Sequence, residues 1–144
     1  AKGQLLREGD AVAILSFGSL LGEATRAADV INASLANMRF IKPMDEELIL
    51  QLAKDHELLV TIEDNAALGG AGSAVSEFLT NAGIKIDVLR LGLPDRFLAH
   101  GSQQELLAEA ELSADGIIRR VEAFLRANSQ GKLTTQTPLF RVLS

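Results

Sequence analysis

The chain has 144 residues, 47% of them hydrophobic, with no cysteine, two histidines and a formal net charge of -5. That length suits one domain with one core, and interspersed acids and bases without an arginine and aromatic stripe exclude an electrostatic nucleic-acid surface. The absence of cysteine removes disulfides, thiolate metal sites and cysteine nucleophiles and suits a reducing, cytoplasmic compartment, while no apolar run reaches the ~18 residues of a membrane span.

The first ten residues, AKGQLLREGD, contain no apolar signal-peptide core. Residues 11–17 (AVAILSF) form an apolar run of buried-strand type, and residues 19–33 carry Leu20, Ala24, Ala27, Ala28 and Ile31 at helical spacing. Residues 37–42 (NMRFIK) read as a second strand closed by Pro43. Asp45 then suits a helix N-cap, with Glu46 and Glu47 in a first turn where acids favour the dipole and Leu48, Ile49, Leu52 and Ala53 on the apolar face. A third strand is expected at residues 57–63 (ELLVTIE). Ser73 is expected to cap a helix over 74–82 whose Val75, Phe78 and Leu79 face inward, with Gly83 at its left-handed end. Residues 85–92 (KIDVLRLG) make the fourth strand. Residues 102–105 (SQQE) match a capping box, Ser113 suits the cap of a longer helix over 114–128, and the segment from Ser129 has no clear period.

Strands alternating with helices imply an α/β fold with a mostly parallel sheet covered on both faces. Ligands in such sheets favour the carboxyl ends of the strands, and the Gly69, Gly70 and Gly72 cluster lies just beyond one of them. The cluster fits neither phosphate fingerprint. Val75 stands where a dinucleotide motif needs its third glycine, and no Lys-Ser/Thr pair follows as a Walker loop requires. Glu63 and Asp64 would repel a phosphate there, so the cluster reads as a turn or close-packing segment, with a bound anion at the Ser73 helix start as the other reading. In LGLPDRFLAHG (91–101), Asp95, Arg96 and His100 suit a turn initiated at Pro94, and His100 is also a candidate for a titratable role. With His56 as the only other histidine, far away in sequence, a histidine-rich metal site is not expected.

Four stretches carry a family resemblance: REGDAVAILSFGSLLGEATRAA, MRFIKPMDEELI, VTIEDNAALGGAGSAVSEFL and LGLPDRFLAHGSQQELLAEAELSADGI. Together they resemble the C-terminal domain of the 1-deoxy-D-xylulose-5-phosphate synthases, transketolase-like thiamine diphosphate enzymes, over residues 2–127. The resemblance implies a three-layer sandwich of the transketolase C-terminal type over 1–128, a tail over 129–144, and an entering linker in the first ten residues. It also implies a larger enzyme that joins pyruvate to glyceraldehyde 3-phosphate with loss of carbon dioxide. In that family the preceding domains hold thiamine diphosphate and Mg2+ through a Gly-Asp-Gly signature, whereas here Gly9 and Asp10 are followed by Ala11. The expectation is therefore a chain without catalytic, cofactor or metal residues of its own. Its partners would be the remaining domains and a second subunit of a homodimer, with neither nucleic acid nor membrane. Glu63, Asp64, Asn65, Gly69, Gly70, Gly72, Ser73, Asp95, Arg96 and His100 are the candidate loop and interface residues.

Overall fold

Strand β2 (Val12–Phe17) is buried along its whole length, as a strand covered on both faces must be. Around it, in a computed structural model that describes residues 2–39, 43–63, 70–92 and 112–135, lie β1 (Gln4–Arg7), α1 (Leu21–Ile31), β3 (Ser34–Asn37), α2 (Glu46–Asp55), β4 (Leu58–Glu63), α3 (Ala71–Asn81), β5 (Asp87–Gly92) and α4 (Ala114–Thr135). The sheet order is β1-β3-β2-β4-β5. Strands β3, β2, β4 and β5 run parallel, and β1 is an antiparallel edge strand on β3 with a register shift between Leu5 and Arg7.

The period of two along each strand sends side chains into two cores. Val12, Ile14, Val60, Ile62 and Leu91 meet Ala24, Ala27 and Ala28 of α1 and Ile117 and Val121 of α4 on one face. Ala13, Leu15, Phe17 and Leu59 meet Ile49, Leu52 and Ala53 of α2 and Ala71, Val75 and Leu79 of α3 on the other. The result is the expected α/β three-layer arrangement. Ser16, buried among these strands, has a hydroxyl with no hydrogen-bond partner among the described residues.

Two helix starts match the local signals: the Asp45 side chain accepts from Leu48 N at 3.2 Å, and the Ser113 hydroxyl accepts from Gly116 N at 3.2 Å. Gly83 takes φ 75°, as a left-handed helix end requires.

Four expectations are corrected. The second strand is residues Ser34–Asn37 rather than 37–42, because Asn32 adopts the left-handed conformation (φ 55°) and ends α1 at Ile31, so the chain enters the sheet sooner. Residues 4–7, read as linker, form β1. Helix α3 begins at Ala71, with Gly70 (φ 100°) at the N-cap position, so Ser73 lies inside the first turn and caps nothing. Helix α4 continues past Asn128 to Thr135. The expected helix after Ser102, the Pro94 turn, and Asp64, Asn65, Gly69, Asp95, Arg96 and His100 lie outside the described residues.

Candidate functional site

Strand β2 connects through α1 to β3 on one side, and the chain then returns through α2 to β4 on the other side of β2. The order therefore reverses between β2 and β4, the place where open α/β sheets offer a crevice at the strand carboxyl ends. Glu63, the last residue of β4, pairs with Phe17 of β2 on that side and with Gly92, the last residue of β5, on the other, where a cleft opens.

The Glu63 carboxylate turns onto the start of α3. Its Oε1 accepts from Gly70 N at 3.2 Å and its Oε2 from Ala71 N at 2.7 Å. Those amides are among the donors a helix leaves unpaired, and a negative charge also complements the positive end of the helix dipole. A carboxylate eight positions upstream thus does what Ser73 was expected to do. Gly70 supplies the positive φ that brings both amides round to it, and its own carbonyl accepts from Ala74 N at 2.7 Å.

Gly72 has a different task. A Cβ at that position would lie 2.6 Å from Arg90 Cγ and 2.7 Å from the Thr61 hydroxyl oxygen. Only a residue without a side chain lets the first turn of α3 sit this close to β4 and β5. Arg90 runs over this turn, and its Nη1 donates to Ser73 Oγ at 3.0 Å. Thr61, Glu63, Gly70, Gly72, Ser73, Arg90, Leu91 and Gly92 line an open cleft of about 260 Å³. Of the expected residues the structure thus gathers Glu63, Gly70, Gly72 and Ser73. It adds Arg90 and Thr61, which the sequence reading missed; the available signal was an arginine set among the apolar residues that follow Asp87 in β5.

The cleft suits packing better than group transfer. Its pair of helix amides is already taken by Glu63, which leaves no phosphate cradle there and does not favour a self-contained anion-binding module. Among the described residues no group of three or more His, Asp or Glu could hold a metal ion. The described lining of this cleft therefore does not fit a diphosphate with its metal.

A second polar constellation lies at the opposite, amino ends of the strands. Ser34 Oγ accepts from Gly9 N at 2.8 Å and lies 2.7 Å from His56 Nε2, while His56 Nδ1 lies 2.7 Å from the Leu52 carbonyl oxygen. A carbonyl only accepts, so Nδ1 carries the proton and the Ser34 hydroxyl donates to Nε2. The pair looks like a nucleophile with its base. Yet Ser34 is 2% exposed, and the histidine is oriented by a backbone carbonyl, so the network stitches the turn before β2 to β3 and α2.

Comparison with known proteins matches residues 1–117 to the family described as transketolase, C-terminal domain. A 1-deoxy-D-xylulose-5-phosphate synthase of Dechloromonas aromatica (strain RCB) is 52% identical over 129 residues, covering 90% of this chain and 21% of that protein. One of Thioalkalivibrio sulfidiphilus (strain HL-EbGR7) is 54% identical over 124 residues, 86% of this chain and 19% of that protein. The chain thus spans about a fifth of the length of these curated relatives. Among solved structures, a split-gene transketolase described as an inactive beta4 tetramer superposes with a TM-score of 0.76 at 31% identity, over 85% of this chain and 41% of that one. With the expected sheet and both helical layers in place, the chain belongs to the transketolase C-terminal domain family.

Proposed function

We propose that this chain is the C-terminal domain of a thiamine-diphosphate-dependent 1-deoxy-D-xylulose-5-phosphate synthase, a transferase that joins pyruvate to glyceraldehyde 3-phosphate and releases carbon dioxide. The observation that carries the reading is identity of 52% and 54% to two such synthases across most of this chain. In this reading the remaining domains hold thiamine diphosphate and Mg2+, the enzyme is a cytoplasmic homodimer, and this domain supports packing between domains and subunits without catalysing alone. Residues 1–128 are assigned to the domain and 129–144 to a tail that begins within α4. The carboxyl-end surface is the packing face, shaped by Glu63, Gly70, Gly72 and Ser73, and in this reading Asp64, Asn65, Gly69, Asp95, Arg96 and His100 serve contacts with the other domains. Two features support this assignment. The α3 amides are satisfied internally, and Arg90 presents an exposed guanidinium beside the cleft, a group suited to forked pairing with a carboxylate of another domain.

A domain exchange tests the proposal. The corresponding part of the Dechloromonas aromatica synthase is replaced by this chain, and formation of 1-deoxy-D-xylulose 5-phosphate is measured. Turnover within about tenfold of the parent is expected, a loss of less than ~1.4 kcal/mol in transition-state stabilisation. A folded chimera with no synthase activity would overturn the assignment.

A further inference from the structure

We draw no further inference here: the strongest candidate, the cleft of Thr61, Ser73 and Arg90 at the carboxyl ends of β4 and β5, belongs to the site already described, and nothing at the α3 N-terminus beside it points to a ligand other than the Glu63 carboxylate that fills it.

Discussion

At the amino ends of β2, β3 and β4 polar groups close on one another, whereas at the carboxyl ends of β4 and β5 they line a cleft. The amino end holds the Gly9, Ser34, His56 and Leu52 chain of hydrogen bonds. Nearby, Arg7 donates to Asp29 at 3.1 Å, to Asn32 at 3.0 Å and to the Ala33 carbonyl at 2.9 Å, locking β1 to the end of α1. At the carboxyl end one acid is fixed on a helix start while an arginine stays exposed. The two ends also use glycine differently. A Cβ on Gly9 would lie 2.3 Å from the Asn32 carbonyl oxygen and 2.5 Å from the Ala33 carbonyl carbon, so it meets backbone, while one on Gly72 meets the side chains of Arg90 and Thr61. Backbone between α1 and β3 cannot step aside without moving the sheet; an arginine stem can. The amino end is therefore the rigid side of the domain, and the carboxyl end is the side with adjustable groups.

The largest effect is expected at Gly9. Gly9→Ala should cost about 2–4 kcal/mol of stability, since neither neighbour can change rotamer to make room. Urea unfolding checks it, and a loss below about 0.5 kcal/mol would remove the rigid half of the comparison. Gly72→Val comes next, at about 1–3 kcal/mol. Here the cost should be partly relieved in an Arg90→Ala background, with a coupling of about 0.5–1 kcal/mol. Additive losses in that double-mutant cycle would mean that the arginine stem is not what Gly72 makes room for.

Glu63→Ala should cost about 1–2 kcal/mol by stripping the α3 start of its charged acceptor, and Glu63→Gln less, because the amide oxygen still accepts one bond. Equal losses for the two variants would show that charge at the helix end contributes nothing. Glu23 offers an internal control. Its Oε1 accepts from Ala114 N at 2.7 Å at the start of α4, with Arg26 pairing to the same carboxylate. Both helices are thus held by acids from outside the helix, eight positions upstream for α3 and 91 for α4. The smallest effect is expected at Ser16, whose buried hydroxyl has no partner among the described residues. Ser16→Ala should leave stability unchanged or raise it by up to about 1 kcal/mol. A clear destabilisation on thermal unfolding would mean that the hydroxyl is satisfied in solution.

How far the sequence could be read follows from where each signal resides. Strands β2 and β4 and helix α2 carry their own patterns, namely apolar runs for strands covered on both faces and an Asp45 cap three residues before the amide it accepts from. Strand β1 has four residues, mostly exposed, and no such pattern; only pairing with β3 makes it a strand. Strand β3 starts earlier than its sequence pattern suggests because the preceding helix stops at Asn32, where no glycine marks the left-handed turn. In the candidate site, Glu63 and the glycines were visible, but their division of labour was not. Ser73 stood at the expected cap spacing, while the true acceptor came from the preceding strand across a segment of the chain. The Ser34 and His56 pair lies 22 positions apart and arises only when β3 and α2 come together.

The claim that this domain shapes a packing face and holds no cofactor site of its own is tested most directly by calorimetric titration of the 144-residue protein with thiamine diphosphate and Mg2+. With the α3 amides occupied by Glu63, no binding is expected up to about millimolar concentration. A dissociation constant near micromolar, about -8 kcal/mol of binding free energy, would contradict the account.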